Sequence, residues 1–327
     1  MTTTSAHGAA VHLWIYNHPS YGIGEQVEFF LMAMRQNGYV ASIGRQPRAD
    51  ALNVVIENFS EVTSATLIDF CESTGKKVAV IMTEHLDFLN NQIYIHGEPL
   101  WNNNDYMHPA VQFLRIKNLM DCVKYLRCFF VLGDLPFLQN FDAMFPGIPV
   151  HALPFPQLDL LPVDDQQPEC DAIFTGVVTA YRSQLLAQLE REMSVLCPRK
   201  FVSRRARDKL NFSAKLVLNL PQRVDWKWLS LMRVIAGLQC GRATISLGTQ
   251  DNSRISTCCE QLDITKVDWI ATLRTMTADW KQSYRTALDR YNAMAIEFEQ
   301  ERPFPHDVFE YWGITDRLRS DLTGANE

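Results

Sequence analysis

The chain has 327 residues, of which 47% are hydrophobic and 21% charged, with a formal net charge of −6. That composition supports a packed core in each of two domains and excludes a disordered chain. A pI of about 5.8 argues against a polynucleotide partner, which would call for a basic face.

The charge is unevenly divided. Residues 1–160 carry 9 Lys/Arg against 15 Asp/Glu, and residues 161–327 carry 22 of each. An acidic half followed by a more basic one suits a protein that holds an anionic group with its second half. None of the eight cysteines forms a CxxC pair. With a small, polar N-terminus that does not read as a secretory signal, they are expected to be reduced thiols of a cytoplasmic protein. No apolar run approaches the ~18 residues of a membrane span.

In chain order, Val11–Tyr16 reads as a first buried strand, followed by the turn-rich loop Asn17–Gly24. Glu25–Asn37 has helical spacing, with Val27, Phe30, Leu31 and Met34 on one face and Gly38 placed to end it. Tyr39–Ile43, Leu52–Ile56, Val78–Met82, Cys128–Leu132 and Val150–Leu153 read as strands, with helices over Ser60–Ser73 and Pro109–Tyr125. Thr83–Met107 is a long polar and aromatic stretch. Strands apolar throughout and alternating with helices indicate parallel sheets covered on both faces.

Pro154-Phe-Pro156 and the proline-containing Leu160–Pro168 read as a linker. The pattern then restarts: strands at Ala172–Phe174, Lys215–Leu220 and Ala243–Leu247, helices at Tyr181–Met193 and Leu229–Leu238, and a long helical region over Val267–Gln300. The fold expected is α/β, with two Rossmann-like domains whose parallel sheets face a central cleft, and a C-terminal helical tail. The expected bounds are an acceptor domain over 1–158, a nucleotide-sugar domain over 159–300, and a tail over 301–327 that crosses back to the first domain.

In such sheets ligands bind outside the carboxyl ends of the strands, which singles out five segments. Gly22 and Gly24 would let backbone approach a ligand, or serve an ordinary tight turn. Glu84, His85 and Asp87 follow a buried strand, where a general base would sit, or where a solvated loop would carry a capping carboxylate. After the next domain's first strand come Gly176, Thr179, Tyr181 and Arg182, a glycine, a helix cap and a guanidinium suited to a diphosphate. Arg199 to Lys215 carries a run of basic residues, Lys209 among them, that faces either phosphate or solvent. Arg233 lies in an apolar helix and needs a ligand phosphate or a carboxylate as partner. The histidines His18, His85, His96 and His108 lack metal-ligand spacing, so no metal is expected.

Taken in order, these pieces resemble the GT-B superfamily of glycosyltransferases. YGIGEQVEFFLMAMRQNGY resembles the glycine loop and first helix of the acceptor domain, and RCFFVLGDLPFLQNFDAMFPGIPVHALPFPQLD the crossover into the donor domain. FTGVVTAYRSQLLAQLE resembles the donor domain's first βα unit, and AKLVLNLPQRVDWKWLSLMRVIAGLQCGRATIS the segment that meets the nucleotide sugar. The resemblance spans nearly the whole chain. It departs where many retaining members carry a pair of glutamates, whose places fall on Trp228 and Ala236.

The resemblance implies transfer of a sugar from a UDP-, GDP- or CMP-linked donor to a glycan or lipid-linked acceptor, in glycan or polysaccharide biosynthesis. It implies no tightly bound cofactor and no metal, and, with the glutamates missing, inversion. Arg182, with Lys209 or Arg233, would hold the leaving phosphate, and Glu84, His85 or Asp87, with Glu25 in reserve, would take the acceptor's proton. A CMP-ulosonic-acid transferase and a non-catalytic scaffold are the alternatives; a dehydrogenase lacks its GxGxxG fingerprint. Trp226, Trp228 and the Phe304–Trp312 tail pack against protein or make a peripheral membrane contact.

Overall fold

The computed structural model describes residues 10–18, 20–57, 59–102, 108–162, 167–198, 200 and 202–324. Within the linker, residues 163–166 lie outside that set, as does Arg199 of the basic run. The chain divides into two compact units. Unit 1 takes in Met1–Pro19, Val27–Pro156 and Glu299–Glu327; unit 2 takes in Ser20–Gln26 and Gln157–Phe298.

Unit 1 opens with β1 (Val11–Trp14), and α1 (Ser20–Gln36) follows, its first turns grouping with unit 2. Next come β2 (Ala41–Gly44), β3 (Leu52–Ile56), α2 (Glu61–Thr74) and β4 (Val78–Ile81). The helix α2 starts where Ser60 accepts a hydrogen bond from the Thr63 N–H, and it stops at Gly75, whose φ of +67° only glycine adopts without strain.

A small sheet is inserted after β4. It is formed by β5 (Leu86–Leu89), β6 (Gln92–Ile95) and β7 (Glu98–Pro99), joined on β5 by a later strand, Leu138–Gln139. The chain continues through α3 (Pro109–Asp121), β8 (Leu126–Leu132), β9 (Leu138–Gln139), α4 (Phe141–Met144) and β10 (Val150–Leu153). The main sheet runs β10-β8-β4-β3-β1-β2, and all its pairings are parallel. β1, β3 and β4 are buried along their whole length, as the unbroken apolar runs require.

Unit 2 contains β11 (Cys170–Ile173), α5 (Ala180–Leu189), β12 (Val195–Leu196), α6 (Arg204–Phe212), β13 (Ala214–Asn219) and α7 (Leu231–Gln239). β14 (Ala243–Leu247), β15 (Glu260–Leu262), α8 (Trp269–Ala278) and α9 (Trp280–Glu301) complete it, and the chain ends with α10 (His306–Gly324). Its sheet runs β12-β11-β13-β14-β15, again all parallel. Each unit is therefore a doubly wound Rossmann-like fold. The strand order reverses between β1 and β3 in unit 1 and between β11 and β13 in unit 2, and these reversals are where ligand crevices form.

The C-terminal segment packs within unit 1. Phe309 stacks on Phe130, with ring centroids 5.4 Å apart, and Tyr39 meets Phe304, His306 and Phe309. Phe309 and Trp312 are fully buried.

Two sequence expectations change here. Gly22 and Gly24 lie inside α1, which begins at Ser20 and not at Glu25, so they form no ligand loop. Added Cβ atoms show the packing instead: one on Gly24 would sit 3.4 Å from Arg204 Cδ. The stretch from Thr83 onward is not a loop but two tight hairpins. Asn90 and Asn91 (φ 51° and 58°) link β5 to β6, and His96 and Gly97 (φ 50° and 78°) link β6 to β7, the positive-φ pairs that two-residue hairpins demand.

Candidate functional site

At the carboxyl edge of unit 1, four elements bring ionisable groups together. Glu57 directly follows β3, and Glu84 follows β4. Arg115 comes from the buried face of α3, and His96 from the second hairpin. Arg115 donates from Nε and Nη2 to the Glu57 carboxylate at 3.2 and 2.5 Å, and from Nη1 to Glu84 at 3.0 Å. His96 Nε2 lies 2.5 Å from the other Glu84 oxygen, and the Thr83 hydroxyl donates to Glu57 at 2.8 Å. The four ionic side chains are only 5–12% exposed. The cavity between Glu57, Glu84, Gln112 and Arg115 has room for about one water molecule, far less than a nucleotide needs.

This geometry decides what Glu84 can do. Burial alone would raise its pKa, but the Arg115 charge and the His96 contact outweigh that and hold it well below the usual carboxylate range. A carboxylate so stabilised is a poor proton acceptor. His85 is no better placed. Its Nδ1 accepts the Phe137 backbone N–H at 3.0 Å, and burial, with the nearby His96, pulls its pKa down to about 3. Asp87 sits on β5 and accepts a hydrogen bond from Asn140 at 2.8 Å. These three residues are brought to one edge, but as parts of a structural network.

His85 has a measurable consequence for stability. Unfolded, it titrates near the ordinary 6.5; folded, near 3. The unfolded chain therefore binds the extra proton first, so stability is intact above pH 6.5 and falls as pH drops toward 3, by up to about 1.4 kcal/mol per pH unit. His85→Asn, which keeps an acceptor for the Phe137 N–H, should flatten the loss between pH 7 and 4.5 in urea unfolding. Parallel wild-type and variant curves would show that His85 titrates normally.

A residue not selected from the sequence stands at the strand-order reversal of unit 1. His18 follows β1, and both its ring nitrogens are buried without a well-formed hydrogen bond among the described residues. Burial lowers its pKa, opposed by a ring contact with the Glu57 backbone and by the Glu57 charge, and assisted by Arg115, which favours the neutral imidazole. The loop that carries it is pinned by Arg45, which donates to the carbonyls of Tyr16 and His18 at 2.9 and 3.2 Å. Tyr16 is held at φ 46°, strained for a bulky residue and of the kind found at functional sites. The sequence signal was present, a histidine in the first βα loop, but only its burial without a well-formed ring hydrogen bond among the described residues distinguishes it.

In unit 2 the reversal lies between β11 and β13, and Arg233 sits there. Its Nη1 donates to Asn219, the last residue of β13, at 2.6 Å, and its guanidinium lies 5.2 Å over the Phe174 ring. Gly176 packs tightly against it, since an added Cβ would fall 2.6 Å from Phe174 Cζ and 2.8 Å from Arg233 Nη2. Arg207 on α6 forms an ion pair with Glu25, and neither Arg207 Nε nor Nη2 has a well-formed hydrogen bond among the described residues. Burial lowers the pKa of Arg233 to about 10, helped by the like charge of Arg207 and opposed by Glu25. Burial also raises Glu25, against Arg207 and Arg204 and with Asp208. Two partly buried guanidiniums thus lie around the Glu25 carboxylate, beside the Arg204–Asp208 pair.

The other residues selected from the sequence lie nearby but are engaged differently. Thr179 caps α5, accepting from the Arg182 N–H at 3.3 Å and donating to the Gln222 carbonyl at 2.8 Å. Arg182 is 4% exposed, and its guanidinium donates to the carbonyls of Leu220 and Val177 at 2.6–3.0 Å. It ties together the loops after β11 and β13 rather than presenting its charge outward, so Arg182→Ala would disturb the fold as well as any ligand. Tyr181 is half-buried and Lys209 is exposed on α6. Trp226 and Trp228 pack edge to face, their rings 5.7 Å apart.

Among the described residues no group of three or more His, Cys, Asp and Glu could hold a metal ion, and no helix is long and apolar enough to cross a membrane.

No family model and no curated protein matches the chain. Solved structures do, at low identity. T4 phage BGT, solved with its UDP-glucose substrate, is 11% identical, with a TM-score of 0.48, over 93% of this chain and 98% of that one. An α1,3-fucosyltransferase is 11% identical, with a TM-score of 0.37, over 88% and 84%. TarM is 8% identical, with a TM-score of 0.42, over 82% of this chain; the chain spans about half of TarM's length (55%). The two doubly wound, all-parallel units seen in this chain's own topology are Rossmann-like and give it a GT-B-like fold.

Proposed function

We propose that this protein is a glycosyltransferase that moves a sugar from a nucleotide-sugar donor to an acceptor hydroxyl, without a metal and with inversion. The observation that carries the reading is the charge count at the unit 2 crevice, where among the described residues the partly buried Arg204, Arg207 and Arg233 gather around Glu25 and Asp208. An uncompensated buried charge is costly, and a phosphate-bearing ligand would relieve it. Gly176 lets the loop after β11 pack close against Phe174 and Arg233, and Thr179 and Arg182 hold the loops around them.

His18 is the proton acceptor in this reading, in place of Glu84, His85 and Asp87. Its neutral ring takes the acceptor's hydroxyl proton as the oxygen bonds to the anomeric carbon. The carbon–oxygen bond to the donor phosphate breaks on the opposite side, and the nucleotide leaves with its negative charge held by Arg233 and Arg207. Glu57 favours the imidazolium that forms, and two hydrogen bonds from Arg115 hold its carboxylate in place. The acceptor proposed is a glycan or lipid-linked sugar.

Calorimetric titration with UDP, GDP and CMP tests the donor half: one of them should bind, and silence with all three would favour a non-catalytic scaffold. His18→Ala tests the other half. It should slow transfer by about 10²–10⁴-fold while leaving the nucleotide Kd unchanged. A normal rate would remove His18 from the chemistry.

A further inference from the structure

We infer that Asn219 is a positioning residue whose lack of charge keeps Arg233 receptive to an anion. This rests on the reading above, in which Arg233 meets the donor's phosphates. Asn219 is 2% exposed at the end of β13. Its amide oxygen accepts from Arg233 Nη1 at 2.6 Å and from the Ser230 N–H, at the start of α7, at 3.3 Å. Its amide nitrogen donates to Ser246 Oγ at 2.7 Å, which fixes the amide the right way round. Ser246 in turn contacts the Thr249 hydroxyl at 2.7 Å, so the amide is anchored in a chain of hydroxyls with no formal charge.

An aspartate would fit the same space and bond Arg233 more strongly. It would also neutralise the guanidinium, and a neutralised guanidinium holds a phosphate weakly. The amide orients Arg233 as well as a carboxylate would and leaves its charge in place. The remaining ionic groups around Arg233 do not replace that function: Arg207 adds positive charge, and Glu25 is paired with Arg207. A neutral acceptor beneath an arginine is what an anion site requires and what a purely structural arginine would not select.

Two near-isosteric variants separate charge from shape. Asn219→Asp keeps the acceptor and adds the charge, whereas Asn219→Leu removes the acceptor and adds none. Inorganic pyrophosphate, titrated calorimetrically into the full chain, is the probe. Asn219→Asp should weaken its binding on the order of 30-fold, and Asn219→Leu by roughly threefold or less. The reverse order would show that Asn219 matters only as a hydrogen-bond acceptor and would overturn the inference. Should Asn219→Asp fail to fold, Asn219→Leu decides alone, since a loss beyond about tenfold contradicts a role that depends on charge. If the wild type binds no pyrophosphate, the phosphate reading of the Arg233 crevice itself is overturned, an outcome distinct from normal wild-type binding with an unaffected Asn219→Asp.

Discussion

Replacing Arg115 with methionine is expected to destabilise unit 1 by about 3–5 kcal/mol, because it removes the one cation that bridges two buried carboxylates. Glu57 would lose two hydrogen bonds and Glu84 one, at sites only 5% and 12% exposed. Adding Glu84→Gln to the variant should recover part of the loss, since one of the two stranded charges is then gone. Urea unfolding at pH 7 measures both. A loss below about 1 kcal/mol would mean that water reaches the network and that its charges are screened.

The same network makes a prediction with pH. Glu84 is held ionised below its ordinary range, so its contribution is complete above pH 4.5 and is lost as pH falls below that value. This adds to the His85 loss, which begins nearer pH 6.5.

Arg233→Met is expected to have the opposite character: transfer falls by about 10²–10³-fold while the ligand-free protein keeps its stability or gains some. Arg233 repels Arg207, and its burial is costly enough to lower its pKa to about 10. Methionine fills a similar volume without that cost. Only a bound phosphate would make the arginine worth keeping, so function and stability should separate. Melting temperatures of the ligand-free proteins, set beside nucleotide affinity and transfer rate, check both halves. A variant that melts well below wild type while binding nucleotide normally would make Arg233 a structural residue.

Arg115 and Arg233 show how far the sequence could be read. Arg233 stands out in LMRVIAGLQC as a charge within an apolar helix, and that alone marked it as needing a partner. Arg115 lies in PAVQFLRIKNLMD between Leu114 and Ile116, and nothing local separates it from the solvent-facing Lys117 two positions on. Its importance comes from Glu57 and Glu84, which are 58 and 31 residues away. Similarly, Glu84 and His85 follow a buried strand as expected, yet their proton affinities depend on Arg115 and His96, which arrive from other elements.

Local signals were sufficient wherever one element satisfies its own requirements. Leu52–Ile56 and Ala243–Leu247 appear as strands at the positions their apolar runs imply, because a strand buried on both faces leaves that mark in the sequence. Thr179 caps α5 as its position suggests, since a cap is a contact over three residues. The small sheet of β5, β6, β7 and β9 left no such mark: its strands are short and half-exposed, and their turns use asparagine and histidine at positive φ rather than glycine pairs. Helix α6 was hidden by its own charge, because RRARDKLNF reads as a basic patch before it reads as a helix.

By itself, the sequence determined the alternation of strands and helices, the restart after Pro154-Phe-Pro156, and hence two parallel α/β units, since these follow from hydrophobic periodicity and from proline's backbone constraints. Only the tertiary structure decided which charged residues face one another. That choice separated Arg182, bound to backbone carbonyls, from Arg233, bound to a neutral amide, and it buried His18 at a strand-order reversal with no well-formed ring hydrogen bond among the described residues. The physical reason is range: periodicity and capping act over three or four residues, whereas burial and Coulomb interactions depend on neighbours that only the folded chain brings together.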